Sequence, residues 1–243
     1  APADHQDAFY MTAEAFNIAE KWQLPVFILD DQAFADAQRA VPEYDLSQVT
    51  IDRGLIAVEP DEPQVLRRYE VTESGVSPRA YPVLSKWIVA QDSHEHDEVG
   101  HLTDNPENRV RQVQKRMKKL EGIASTFPGP EVIHGDAETV LVCWGSTVGP
   151  VGEAIELLRE QGHDVGAAVF RHLSPMNKDE VRSALEGAGR LVTIEGNYTG
   201  QLGKLLLLET GIATHHHIGK IDGRLFTVED VLALVGEYLE SQP

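Results

Sequence analysis

"TVLVCWGSTVGPVGEAIELLREQGHDVGAAVFRHL", residues 139–173, decides the fold. Its first part is a run of consecutive apolar residues closing on Gly145-Ser146, which suits a strand buried on both faces of a parallel sheet. Val151, Ala154, Ile155 and Leu158 then recur at helical spacing, and Gly162 supplies a stop. "DVGAAVFRHL" is a second strand. A strand, a helix and a strand of these lengths predict a right-handed crossover between parallel neighbours.

The pattern continues toward the C-terminus. Asn177 and Glu180 have the spacing of a capping box in front of "KDEVRSALEGA". "RLVTIEGN" is a strand, "YTGQLGKLLLLETG" a helix and "THHHIGKI" a short strand. Thr227 caps a last helix with Val228, Val231, Leu232, Val235 and Leu239 on one side. Strands alternating with helices imply an α/β domain with a mainly parallel sheet. Ligands in such sheets sit beyond the carboxyl ends of the strands.

Upstream of residue 138 the reading is less regular. "AFYMTAEAFNIAEKW" (8–22) places Phe9, Ala13, Phe16 and Ala19 at helical spacing. "PVFILDD" (25–31) follows, and its four apolar residues predict a strand buried between neighbours, the edge of a domain cut short. Residues 32–105 are rich in Pro, Glu, Asp and Arg, with hairpin-like pieces such as "LIAVE" and "KWIVA". Asn105-Pro106 opens a helix over 106–121. Val110, Val113, Met117 and Leu120 predict its packing seam. Arg109, Arg111, Lys115, Arg116, Lys118 and Lys119 surround that seam, either as a solvated face or as a contact for an acidic partner or phosphate groups.

Charge narrows the function classes. The chain of 243 residues carries 39 acidic against 21 basic side chains, a net charge of −18. It should repel nucleic acid and anionic membrane, whereas a basic partner subunit suits it. No stretch is long and apolar enough to span a membrane, no signal peptide is visible, and a cytoplasmic location fits. The single cysteine, Cys143, lies in a strand core and can form neither an internal disulfide nor a cysteine-ligated cluster.

Three stretches carry candidate chemistry. Ser146 and Thr147 join a strand to a helix, where free amides could hold an anion or Ser146 could simply cap the helix; no phosphate-loop or dinucleotide fingerprint is present. In "IEGNYTGQLGK" (194–204), Glu195 and Asn197 sit at a strand end, with Gly200 and Gln201 opening the next helix, as a binding loop or as ordinary turn chemistry. "SHEHDEVGH" (93–101) gathers His94, Glu95, His96, Asp97, Glu98 and His101, which could ligate a metal or form a polar loop. It has no HExxH pattern and no cysteine pair. His215 and His217 share one face of their strand without a third ligand nearby in sequence, so no metal is expected there.

"EHDEVGH" (95–101) followed by "DNPENRVRQVQKRMKKLEG" (104–122) resembles a segment of the alpha subunits of 2-oxoacid:ferredoxin oxidoreductases. So do "DAFYMTAEAFNIAEKWQLPVFILDD" (7–31), "EGNYTGQLGKLL" (195–206) and "GKIDGRLFTVEDV" (219–231), the last with Leu225 where the family usually has proline. The resemblance covers the whole chain and is nearest the 2-oxoglutarate branch. It implies that residues 1–35 are the tail of a thiamine-diphosphate pyrimidine-type domain and 36–137 a connecting region. Residues 138–243 would be a three-layer α/β/α transketolase C-terminal-like domain. It implies CoA-dependent oxidative decarboxylation of a 2-oxoacid, with thiamine diphosphate as electron sink and iron–sulfur clusters passing electrons to ferredoxin. The clusters and the diphosphate site would belong to a beta subunit, and the assembly would be an oligomer. The glutamate that activates the thiamine pyrimidine would lie upstream, so no catalytic residue is assigned here. The 243 residues alone are expected to be inactive and to bind no thiamine diphosphate. Glu95, His96, Asp97, Glu98, His101, Ser146, Thr147, Glu195, Asn197, Gly200 and Gln201 are the candidate interface or ligand loops.

Overall fold

A computed structural model describes residues 1–242. They form two compact units. One comprises residues 1–12, 28–46 and 126 onward; the other comprises residues 13–27 and 47–125.

Helix α1 (His5–Trp22) begins in the first unit and ends in the second. Phe9 stacks on Tyr44 with ring centroids 4.0 Å apart, but Phe16 is 69% exposed, so the apolar spacing does not mark one buried face. The expected strand at 25–30 is absent. No described residue pairs with it, and Phe27 is 80% exposed. Apolar composition cannot make a strand without neighbours to complete its backbone hydrogen bonds. A short helix, α2 (Gln32–Asp36), follows, capped by Asp31.

In the second unit, β1 (Gln64–Val65) and β2 (Trp87–Ile88) pair in parallel, as does the bridge between Ile56 and Arg79. This corrects the expected hairpin character: the pieces meet through crossovers, and only His96 and Leu102 bridge antiparallel among the described residues of this unit.

Helix α3 (Pro106–Ala124) starts where Asn105 caps it, the side-chain oxygen accepting from the Asn108 amide at 2.7 Å. Its packing reverses the sequence expectation. Asn108, Gln112, Lys115 and Ile123 are buried, while Val110, Val113, Met117 and Leu120 are exposed. The cause is long-range pairing of polar groups. Asn108 donates to the His96 carbonyl at 2.9 Å, and Gln112 donates to that of Tyr69 at 3.0 Å. Periodicity does not register such contacts.

The first unit contains the sheet. Its strands are β3 (Glu131–Ile133), β4 (Thr139–Trp144), β5 (Val165–Phe170), β6 (Arg190–Glu195) and β7 (His216–Gly219). Their order is β3-β5-β4-β6-β7, parallel except for β3, a three-residue edge strand too short for the sequence pattern to reveal. The crossovers run through α4 (Val148–Glu160), α5 (Lys178–Leu185) and α6 (Gln201–Thr210), and α7 (Val228–Glu240) follows β7. Thr227 and Asp230 form a reciprocal capping box on α7, and Asn177 caps α5.

Alternation along each strand builds two cores. Leu141, Cys143, Val165, Ala167, Val169, Val192 and Ile194 face α4 and α7. Val140, Val142, Ala168, Phe170 and Leu191 face α5 and α6. Helices therefore cover both sides of the sheet, giving three layers. Each fully buried Val, Leu or Ile contributes about 1.5–3 kcal/mol, which explains why the central strands read as unbroken apolar runs.

Candidate functional site

The parallel strands β4, β6 and β7 end on one edge, and a cleft of about 630 Å³ opens beyond them. Two of the loops singled out in the sequence meet there: Ser146 and Thr147 after β4, and Asn197 and Gln201 after β6. The crossover rule accounts for this, because strands running the same way deliver their following loops to the same edge.

Each loop is held from within. Gly145 turns with φ +61, and the following turn leads into α4. Thr147 is buried, and its hydroxyl donates to the Trp144 carbonyl at 2.7 Å. The Ser146 hydroxyl donates to Asp31.

Glu195 does not line the cleft. It is fully buried at the end of β6, and both carboxylate oxygens face donors. The Leu202 amide donates at 2.9 Å, Asn197 Nδ2 at 2.9 Å, the Trp144 indole at 3.3 Å and the Gly203 amide at 3.4 Å. The carboxylate thus closes the N-terminal end of α6, where free amides and the helix dipole favour negative charge.

Asn197 relays this order into the loop, its side-chain oxygen accepting from the Thr199 and Gln201 amides at 3.2 and 3.3 Å. Its carbonyl lies 3.0 Å from His217 Nε2, and His217 Nδ1 lies 3.0 Å from the Thr193 hydroxyl. Gly200 has φ +63, and a Cβ there would come within 3.2 Å of the His217 ring. His216 turns to the opposite face and stacks on Tyr238 at 4.8 Å.

Trp144, Lys220 and Arg224 also line the cleft. Sequence reading did not single them out, although Lys220 follows β7 directly, at the same edge. Their charges are paired: Lys220 with Asp230 and Arg224 with Asp222. The Lys220 ammonium beside Asp230 holds that carboxyl down to about 2.

"EHDEVGH" lies in the other unit as a closed turn. The Asp97 carboxylate accepts from the amides of Val99, Gly100 and His101 at 2.9–3.0 Å. Burial raises its pKa, but these amides outweigh that and leave it below the ordinary value. Gly100 takes φ +97 and packs against the Ala90 carbonyl, where a Cβ would sit 2.3 Å away.

Glu95 pairs with Arg116 at 3.0 Å and Arg109 at 3.3 Å, which lowers its pKa. Glu98 pairs with Arg67, and the His96 ring lies 3.7 Å from that of Tyr69. His101 is exposed. Among the described residues, no group of three or more His, Cys, Asp or Glu side chains is placed to hold a metal. No described helix is long and apolar enough to cross a membrane.

Comparison with known proteins gives the family. Residues 1–115 match the family described as pyruvate flavodoxin/ferredoxin oxidoreductase, thiamine diP-binding. Residues 137–231 match pyruvate:ferredoxin oxidoreductase core domain II. The chain is 38% identical to 2-oxoacid:ferredoxin oxidoreductase 2, subunit alpha, of Aeropyrum pernix, over 99% of this chain and 38% of that protein. It is 31% identical to the 2-oxoglutarate oxidoreductase subunit KorA of Mycobacterium tuberculosis, over 85% of this chain and 31% of that one. The chain thus spans about a third of the length of such relatives. A solved 2-oxoglutarate:ferredoxin oxidoreductase from Magnetococcus marinus, with 2-oxoglutarate, coenzyme A and succinyl-CoA bound, superposes with a TM-score of 0.86 at 29% identity. That match covers 96% of this chain and 41% of the other. Two family matches in order along the chain, together with that superposition, place it in the family of 2-oxoacid:ferredoxin oxidoreductase alpha subunits.

Proposed function

We propose that these residues serve as part of the alpha subunit of a CoA-dependent 2-oxoacid:ferredoxin oxidoreductase, with 2-oxoglutarate as the substrate. The superposition over 96% of the chain carries this reading. In it, residues 1–35 end a pyrimidine-type domain, 36–137 connect, and 138–243 form the transketolase C-terminal-like domain; residue 243 lies outside the described residues. The role is structural: the cleft loops and "EHDEVGH" order surfaces against the rest of the alpha subunit and a beta subunit, in a cytoplasmic oligomer that delivers electrons to ferredoxin.

Neither Glu195 nor Cys143 is available to the cofactors of such an enzyme. Activation of thiamine diphosphate needs a carboxyl group free to meet the pyrimidine, yet the fully buried Glu195 carboxylate is occupied by four protein donors. Cys143 is buried, and burial pushes its thiol up to about 12, so it offers no thiolate to an iron–sulfur cluster. The iron–sulfur cluster is therefore assigned to another part of the complex, and Glu195 is not the residue that activates thiamine diphosphate.

The test is to purify the complex containing this chain from its source and follow CoA-dependent reduction of a viologen dye. Reduction with 2-oxoglutarate supports the reading. Reduction with pyruvate alone moves the same role to a pyruvate enzyme, and activity with neither refutes it. The 243-residue chain alone, supplied with thiamine diphosphate, CoA and 2-oxoglutarate, should reduce no viologen.

A further inference from the structure

Helix α3 buries one charge without an opposite charge to meet it. Lys115 is 4% exposed, and among the described residues no carboxylate lies within ion-pair distance of its ammonium group. The ammonium sits 6.0 Å from the centre of the Tyr69 ring. The Arg68 guanidinium lies 5.3 Å from that same ring. One turn further along α3, Lys119 donates to the Gln23 carbonyl at 3.2 Å and likewise has no carboxylate partner among the described residues.

Three acids of this unit are engaged with arginines elsewhere. Glu95 takes Arg109 and Arg116, and Glu98 takes Arg67. Glu70 acts on Lys115 at longer range but pairs with Arg67 at 3.3 Å. Arg68, Lys115 and Lys119 therefore have no carboxylate in ion-pair contact among the described residues, in a chain whose net charge is −18.

Buried charge is costly unless paired. Burial, followed by the neighbouring cations, pushes both Lys115 and Lys119 down to about 8. We propose that Arg68, Lys115 and Lys119 bind the phosphate or diphosphate group of a small molecule, which supplies the missing negative charge. One carboxylate would leave two of the three charges unmet. A phosphate dianion or a diphosphate comes nearer to balance, and a guanidinium fork beside two ammonium groups suits its oxygens.

Calorimetric titration of the 243-residue chain with pyrophosphate at about pH 7 tests this, with inorganic phosphate and ADP as separate arms and chloride at matched ionic strength as control. Saturable binding is expected. Lys115→Met and Arg68→Gln should each weaken it about tenfold or more, the loss of one charge-assisted contact. Binding should also fall as pH rises above about 8, where Lys115 and Lys119 lose their protons beside Arg68, Tyr69, Glu70 and Arg116. Equal affinity for pyrophosphate and ADP assigns the site to the diphosphate itself; tighter ADP binding assigns it to a phosphorylated nucleoside. Absence of saturable binding in all three arms overturns the proposal, as does unchanged binding by both folded variants. Saturable binding of poly-glutamate without phosphate binding also overturns it, giving the cluster to an acidic protein partner.

Discussion

Replacing Glu195 with glutamine should destabilise the sheet unit far more than an isosteric change normally would. Both carboxylate oxygens face only donors: the Leu202 and Gly203 amides on one side, Trp144 Nε1 and Asn197 Nδ2 on the other. Whichever way the glutamine amide is turned, its NH₂ meets donors. At least two buried donors, the new NH₂ among them, are then left without an acceptor, at about 1–3 kcal/mol each before non-additivity. A loss of about 2–4 kcal/mol is expected, which lowers Tm by roughly 5–15 °C in a unit of this size. Thermal unfolding and urea titration measure the loss. Amide exchange at Leu202 and Gly203 localises it, because those two amides should lose protection before the centre of α6. A Glu195→Gln protein within about 0.5 kcal/mol of the parent would refute the reasoning.

Gly166→Ala would place a Cβ 2.0 Å from the His134 carbonyl oxygen and 2.6 Å from that of Ile133, so β3 must shift. A cost of about 1–3 kcal/mol in urea unfolding is expected, with exchange protection lost first along β3. Cys143 should resist a thiol reagent in the native chain and react only on unfolding; rapid native labelling would contradict its buried position. Without added anion, stability should rise between pH about 8 and about 10.4, because Lys115 and Lys119 have folded pKa values below the unfolded lysine value and the unfolded chain binds more protons in that window. Lys115→Met should flatten this rise in urea midpoints, and an unchanged pH profile would contradict it.

The sheet unit was legible because its strands carry their burial in the chain itself. Val140 to Cys143 are buried on both faces, and Thr227 and Asn177 mark helix starts by local chemistry. The second unit was not, because its order comes from side chains reaching distant carbonyls. Asn108 finds His96 and Gln112 finds Tyr69, so α3 buries the face that periodicity assigns to solvent. Residues 25–30 differ for the opposite reason: the apolar run calls for strand neighbours on both sides, and no described residue supplies them. At the candidate site, the sequence located the loops at the strand ends but not the direction of Glu195, whose carboxylate turns inward to α6. The Leu202 amide and Asn197 set that direction at 2.9 Å each, and Trp144, fifty-one positions away, adds a contact at 3.3 Å.

The two places where the chain could meet an anion differ in how their charges are balanced, and this decides between them. At the cleft, Lys220 is paired with Asp230 and Arg224 with Asp222, while Glu195 occupies the amides at the start of α6. An incoming phosphate there would have to displace a carboxylate already in contact. On α3, Asn108 and Gln112 each reach a carbonyl, and Arg109 and Arg116 reach Glu95, but Lys115 reaches no counter-charge among the described residues. An anion arriving there displaces no carboxylate and relieves the repulsion among Arg68, Lys115 and Lys119. Electrostatic recognition of a phosphate therefore belongs to the unit that contains α3, even though the cleft beyond the strand ends lies in the sheet unit.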